Sequence, residues 1–224
     1  MKRYLPFIIV ITVGLLTVAG GTILYRVQRA AAPIISEDDV AKVEAEAKVT
    51  HVRGAAKAKV TLEEFGDFQC PPCGMLAGPL REMEQENKDN LRVIFRNFPL
   101  ETHAHAFEAA CAAEAADLQG KFWEMHDLIY REQPRWGAAT DARELFVAYA
   151  GTLGLDVARF TKDIDKPEVK ERVEQDQKRG KSLGVTNTPT LFLNNQLVPP
   201  NSLNPQILHK IIRETVEKSE NPSE

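Results

Sequence analysis

Cysteine is scarce in this chain, with three residues in 224. Three cysteines cannot build the network of disulfides that holds small secreted domains together. They suffice for one working pair and one further thiol. With 43% hydrophobic side chains, the chain can instead bury a sizeable core, in one large domain or two small ones.

Acidic residues are missing from the start of the chain. The first 32 residues contain four basic side chains and no acidic one, whereas the remainder carries 24 basic and 32 acidic residues. A body with this acidic balance lacks the basic surface that nucleic-acid binding requires. Nucleic acid is therefore not expected as a partner.

Charge of either sign is absent from Leu5 to Tyr25. As a helix, these 21 residues would span about 31 Å, enough to cross a bilayer core of about 30 Å. A cleaved signal peptide usually has a shorter apolar run, of about 7–15 residues. Residues 1–25 are therefore predicted to be an uncleaved single-pass anchor, with a removed signal peptide as the alternative. In both cases the rest of the chain is exported.

Two of the three cysteines form the motif Cys70-Pro71-Pro72-Cys73. An alternating run from Val60 to Phe65 predicts a strand before the motif, and apolar residues spaced i, i+4, i+7 predict a helix after it. The pair would then lie on the first turn of a helix, where unpaired backbone N–H groups and a positive field favour a thiolate. A thiolate is the reactive form of cysteine, so this position favours thiol–disulfide exchange.

The rest of the chain divides into a stalk and a mixed α/β body. Residues 26–55 lack large apolar residues at a steady period and predict a linker. Leu91–Phe95 predicts a second strand, parallel to the first across the intervening helix. Residues 102–182 have helical patterns almost throughout. Two short strands flank the turn Asn194-Asn195, and a last helix begins at Asn204-Pro205.

Four segments resemble the DsbA-like thiol–disulfide oxidoreductases. They are Val60 to Cys73, Phe95 to Leu100, Gln119 to Trp123 and Gly184 to Thr190, in that order. The resemblance implies an α/β thioredoxin fold over residues 56–218, with a helical insertion at about 102–182. Residues 219–224 would be a disordered tail.

The resemblance also implies a function and a location. The protein would be a bacterial enzyme in the cell membrane, with its catalytic domain facing the periplasm or outer side, or a soluble exported one if the signal is cleaved. Its partners would be reduced or misoxidised exported proteins and a membrane redox partner that recharges the dithiol; no cofactor is expected. An oxidase is favoured. The alternatives are an isomerase or reductase of the same fold, and a non-catalytic exported binding module.

The position of each cysteine suggests its role. Cys70 precedes the helix and is expected to be the more exposed, attacking sulfur, whereas Cys73 lies one turn in and should resolve the mixed disulfide. The alternative is half of a zinc site, which would need two more ligands, such as Cys111 with His103 or His105. No second CxxC motif supports that alternative, so no metal is predicted.

Three further residues complete the predicted site. Glu64 shares a strand face with Val60 and Leu62, and a carboxylate on a buried face is costly unless it is used. In the resembling family a buried acid at this offset relays protons to the inner sulfur; alternatively, Glu63 and Glu64 are both solvated edge residues. The resemblance also places Thr188-Pro189 in a cis-proline loop that packs against the cysteines and binds the substrate backbone.

The two prolines between the cysteines affect the expected redox strength. Proline has no N–H, so Pro71 and Pro72 remove two potential hydrogen-bond donors to a Cys70 thiolate. The pKa of Cys70 should then be higher, and the disulfide less oxidising, than in the most strongly oxidising members of the family. Cys111 lies among alanines and is predicted to be a buried, inert thiol, with a regulatory disulfide as the alternative.

Overall fold

A computed structural model describes residues 51–220 of the chain. The predicted anchor at residues 1–25 and most of the predicted linker lie outside this range, as do residues 221–224. No helix between residues 51 and 220 has the length and hydrophobicity needed to cross a membrane.

Five strands form one mixed sheet. Their order across the sheet is β1-β3-β2-β4-β5, and only the central pair β2 and β3 is parallel. The strands are β1 (Val52–Gly54), β2 (Val60–Gly66), β3 (Leu91–Asn97), β4 (Thr190–Leu193) and β5 (Gln196–Leu197).

Within residues 51–220, eight α-helices surround the sheet or form a separate layer beside it. They are α1 (Pro71–Glu86), α2 (Ala106–Asp117), α3 (Phe122–Arg131), α4 (Gln133–Trp136), α5 (Arg143–Thr152), α6 (Val157–Asp163), α7 (Pro167–Ser182) and α8 (Pro205–Glu220). The segment from α2 to α7 matches the predicted helical insertion. Since α8 continues to Glu220, the first two residues of the predicted tail belong to a helix.

The two faces of β2 have different neighbours. Val60 and Leu62 are fully buried in a cluster with residues of α1 and α8. On the opposite face, Phe65 packs with Phe98 and Val185, and α7 covers β3. Alternation along β2 therefore sends Glu64 toward the α1 side of the sheet, as the sequence pattern predicts.

Strand β1 is a correction to the predicted domain boundary. Residues 52–54 fall within the predicted linker, but they pair antiparallel with β3, from Val52 opposite Ile94 to Gly54 opposite Arg92. His51, just before the strand, is 1% exposed, and its Nε2 lies 2.7 Å from Glu114 Oε1. The folded domain therefore includes residues from His51 onward.

The alternative of solvated glutamates on β2 is wrong, because Glu63 and Glu64 are both buried. Glu63 Oε1 accepts hydrogen bonds from Arg96 Nε and Arg179 Nε, each at 2.9 Å. Burial alone would raise the pKa of Glu63, but the hydrogen bonds and charges of Arg179 and Arg96 hold it below its usual value. Arg96 also donates to Asp176 of α7, so buried ion pairs attach this helix to the sheet.

Gly180 allows α7 to approach the sheet closely. A Cβ atom at this position would lie 2.6 Å from Phe98 Cε2 and 3.0 Å from Phe65 Cδ1. These atoms belong to the buried rings of Phe65 on β2 and Phe98 in the loop after β3. Rings in a packed core cannot move aside easily. The missing side chain therefore sets the position of the end of α7, four residues before Gly184 and the loop that contains Pro189.

We expect Gly180→Ala to lower the free energy of unfolding by about 1–3 kcal/mol, because the new methyl group overpacks the core. Urea denaturation monitored by circular dichroism measures this change. Gly151→Ala is the matched control, since its Cβ would make only an ordinary 3.6 Å contact with Val157. It should raise the free energy of unfolding by about 0.5–1 kcal/mol, as usual for glycine to alanine inside a helix. Equal effects of the two substitutions would contradict this account of α7.

Candidate active site

The junction between β2 and α1 positions the two cysteines. Cys70 is the N-cap residue of α1, and Pro71 and Pro72 occupy the first two helical positions. The Asp67 carboxylate accepts a hydrogen bond from Gln69 N at 2.7 Å, and Cys70 N donates to Asp67 O at 3.1 Å. The turn before the helix is thus fixed by hydrogen bonds, and proline at the helix start is favourable because N–H groups there have no intrahelical acceptor.

The Cys70 sulfur lies in surroundings that favour its anion. A hydrogen bond from the Cys73 thiol is the main cause that lowers the pKa of Cys70 to about 6; burial opposes this shift, and Thr188 and the Cys73 backbone N–H add to it. Because Pro71 and Pro72 have no N–H, the first backbone donor of the helix is that of Cys73, as the sequence predicts. At pH 7 a group with this pKa is about 90% ionised.

The loop before β4 closes the site on the other side of Cys70. The Thr188–Pro189 peptide bond is cis, as the resemblance implies. In the thiol form, Cys70 Sγ donates to Thr188 O at 3.3 Å. The Thr188 hydroxyl oxygen is buried without a hydrogen-bond partner, and it is placed to donate to the sulfur once Cys70 ionises.

Cys73 is fully buried, and Cys70 is 4% exposed. Cys70 is therefore the more exposed of the two, although by less than its position at the helix start predicts. Burial and the hydrogen bond to Cys70 raise the pKa of Cys73 far above the ordinary value of a thiol. The pair thus combines one sulfur that ionises easily with one that retains its proton, an arrangement suited to directional exchange.

Glu64 lies behind this pair and is only 3% exposed. Its Oε1 atom is buried without a hydrogen-bond partner. Burial raises the pKa of Glu64 to about 8, against the opposing charge of Arg53, and the charge of Cys70 adds to the increase. A carboxyl with this pKa holds a proton at neutral pH and can release it when a stronger base forms nearby.

Two glutamines join the helical layer to the cysteine loop, and neither was identified from the sequence. Gln133 Nε2, from α4, donates to Phe68 O at 2.6 Å and to Cys70 O at 2.9 Å. In return, Gln69 Oε1 accepts from His105 N at 2.7 Å. A side chain at Gly74 would collide with Gln133, since a Cβ there would lie 2.7 Å from its Oε1. No periodicity or motif in the sequence signals these contacts.

The residues of the alternative zinc site have other partners. Cys111 is buried in α2, and burial raises its pKa to about 12. His103 Nδ1 lies 2.7 Å from Asp67 Oδ2, and His105 Nε2 lies 2.9 Å from Ala139 O. Within residues 51–220, the one group of three potential metal ligands is His51, Glu114 and Asp117, and it contains no cysteine.

Comparisons with known proteins agree with this geometry. A family model described as thioredoxin matches residues 46–214. A thioredoxin-like oxidoreductase from Silicibacter pomeroyi superposes with a TM-score of 0.61 at 26% identity, covering 74% of this chain and 91% of that one. BdbD from Bacillus subtilis superposes with a TM-score of 0.66 at 22% identity, covering 77% and 94% of the two chains.

Curated relatives share only part of their length with this chain. A protein named Na(+)/H(+) antiporter NhaA 1, from Mycolicibacterium gilvum, is 39% identical over 149 residues, which is 64% of this chain and 23% of that protein. A protein named Na(+)/H(+) antiporter NhaA, from Herminiimonas arsenicoxydans, is 38% identical over 65% of this chain and 22% of its own length. The family model and the superpositions together cover the whole catalytic region. The chain belongs to the thioredoxin family and has the fold of a thioredoxin-like oxidoreductase.

Proposed function

We propose that the protein is an oxidase that transfers the Cys70–Cys73 disulfide to reduced exported proteins. The observation that carries this proposal is the contrast between the two sulfurs, a Cys70 with a lowered pKa beside a Cys73 that keeps its proton. Ionisation of Cys70 stabilises the reduced enzyme. For a pKa of about 6, this contributes about 1 kcal/mol at pH 7, or about 20 mV toward a more oxidising disulfide.

The proposed exchange has two steps. A substrate thiolate attacks the Cys70 sulfur, which forms a Cys70–substrate disulfide, breaks the Cys70–Cys73 bond and leaves the electron pair on Cys73. The Cys73 thiolate takes the proton held by Glu64. A second substrate thiolate then attacks the substrate sulfur of the mixed disulfide, and the Cys70 thiolate leaves. The substrate loses two electrons and the enzyme gains them as a dithiol.

The proposed location is the cell membrane, with the catalytic domain on its outer side. The uncharged run from Leu5 to Tyr25 supports an anchor, which would place the rest of the chain outside the cytoplasm. Each oxidation leaves two electrons on Cys70 and Cys73. A membrane redox partner is therefore proposed to accept them and restore the disulfide.

Substitution of single cysteines tests the assigned roles. Cys70→Ser should abolish catalysed reduction of insulin and oxidation of a reduced peptide, because the Cys70–Cys73 disulfide cannot form and the remaining Cys73 thiol is buried and keeps its proton. Cys73→Ser should accumulate a mixed disulfide with insulin, visible by non-reducing electrophoresis, because its Cys70 thiolate attacks an insulin disulfide and no Cys73 thiol is left to resolve the product. Cys111→Ser is the matched control and should retain activity, since that thiol is buried. Full activity of Cys70→Ser would refute the proposal.

The pH dependence of the reduced enzyme tests the site electrostatics. Thiolate absorbance should rise with a midpoint near pH 6, in line with a Cys70 pKa of about 6, and the transition should be missing in Cys70→Ser. The reduction potential should fall by about 59 mV per pH unit below this midpoint and by about 30 mV per unit above it, because one proton fewer accompanies the two electrons. A midpoint near pH 9 would contradict the hydrogen bonds assigned to the Cys70 sulfur. Thr188→Val should move the midpoint upward.

The redox state in the cell distinguishes an oxidase from an isomerase or reductase. Rapid acid quenching, followed by alkylation with a mass-shifting thiol reagent, should trap Cys70 and Cys73 mainly as the disulfide. Wild-type protein reduced with excess dithiothreitol before alkylation provides the reference for the reduced form, with all three cysteines labelled. A mainly reduced pair in growing cells would favour an isomerase or reductase and overturn the oxidase assignment.

A further inference from the structure

Three buried side chains near the cysteines each have a polar atom without a partner. The atoms are Glu64 Oε1, the Tyr130 hydroxyl oxygen and His126 Nε2. The exposed fractions of the three residues are 3%, 5% and 2%. Buried polar atoms are nearly always hydrogen-bonded, and internal water is the usual partner where no protein group is available.

The fold places these three groups next to one another. Tyr130 and His126 are four residues apart on α3 and share one face of that helix, with their ring centroids 4.9 Å apart. A Cβ at Gly66 would lie 3.0 Å from the Tyr130 hydroxyl oxygen, so this hydroxyl touches the end of β2. Gly66 and Glu64 share a strand face and lie about 6.6 Å apart along it, a distance that the Glu64 side chain and one water molecule can bridge.

The row formed by Glu64, Tyr130 and His126 reaches the surface beyond His126. His126 Nδ1 lies 2.9 Å from Asp127 Oδ1, and the Asp127 side chain is 21% exposed. Arg81 Nη1 donates to Asp127 Oδ2 at 2.9 Å, and its side chain is 53% exposed. Neutral His126 has one ring proton: on Nδ1 it is donated to Asp127 and Nε2 accepts from the interior, whereas on Nε2 it is donated toward the interior and Nδ1 accepts.

We propose that Tyr130 and His126 carry protons between Glu64 and solvent at Asp127, with internal water closing the gaps. This inference rests on the proposed function, because it supplies the route by which the Glu64 proton is replaced. It assigns positioning and relay roles to two residues that do not touch the substrate.

While the mixed disulfide exists, Glu64 needs a route for protons that does not pass the substrate. When a substrate is joined to Cys70, it covers the entrance that Cys70 shares with Thr188. Glu64 has then given its proton to the Cys73 thiolate and is a buried carboxylate, which is costly. With its ring proton on Nε2, His126 passes that proton inward through Tyr130 to Glu64 and takes one from solvent at Asp127 on Nδ1, which restores the neutral acid and balances the step.

The charges around the path are compatible with this role. Glu64 is influenced by Arg53 of β1 and by Cys70. Tyr130 is influenced by Cys73, Glu64, Asp67 and Cys70, and burial raises its pKa, so it stays a neutral hydroxyl that can donate and accept. Burial lowers the pKa of His126 despite Asp127, while Arg53 and His51 lower it further, so the imidazole is neutral at pH 7.

The test measures proton exchange of Glu64 without any turnover. In the full chain, Cys70 is alkylated with a maleimide-linked peptide that covers the entrance as a substrate would. The infrared band of the protonated Glu64 carboxyl is identified by its loss in Glu64→Gln, and its shift is followed after rapid transfer into deuterium oxide at pH 7. Tyr130→Phe and, separately, His126→Phe should slow this exchange about tenfold or more, as expected when one member of a relay is removed.

Tyr149→Phe is the matched control. Tyr149 is also 5% exposed with an unpartnered hydroxyl, but it lies on α5, where its ionisable neighbours are Glu132 and Arg135. The exchange rate of Glu64 in Tyr149→Phe should equal that in the wild type. Urea unfolding should show that Tyr130→Phe is as stable as the wild type. Wild-type exchange in Tyr130→Phe, equal slowing in Tyr149→Phe, or no protonated Glu64 band at pH 7 would each overturn the path. Failure of the proposed function would appear separately, as activity that survives Cys70→Ser.

Discussion

Repulsion between negative charges buried beneath the start of α1 organises the site. Cys70, Cys73 and Glu64 are all buried there, and the charge of Cys70 raises the pKa of both Glu64 and Cys73. The charge settles on Cys70 because it alone lies at the helix N-terminus with donors from Cys73 and Thr188. Protons must then remain on the other two groups, which gives each sulfur a different chemistry.

The surrounding architecture maintains this distribution. The central parallel strands deliver Glu64 to the face beneath α1, and the helical layer supplies Gln133 and α3 behind the cysteines. On the opposite face, Glu63 uses its charge in buried ion pairs with Arg96 and Arg179. Neighbouring glutamates on one strand thus have opposite pKa shifts, because one faces cations and the other faces apolar side chains and thiols.

Local patterns in the sequence predicted much of this arrangement. Alternation along β2 predicts the burial of Glu64, and helical spacing after Cys73 predicts α1, because both signals lie within a few residues. Strand β1 was missed because three residues carry no periodicity and become a strand only by pairing with β3. The partners of Glu63 lie 33 and 116 residues away, beyond the reach of local patterns. Tyr130 and His126 share a helix face, but a helical stripe does not distinguish an apolar core from a polar path.

Gly74 and Gln133 also limit how the redox centre could be separated from its surroundings. The amide of Gln133 fills the space that a side chain at position 74 would occupy and binds the carbonyl groups of Phe68 and Cys70. The dithiol therefore depends on contacts between α1 and α4, which lie in two separate parts of the chain. A four-residue graft of Cys70 to Cys73 into another scaffold would carry over the sulfurs and leave behind the groups that hold their backbone.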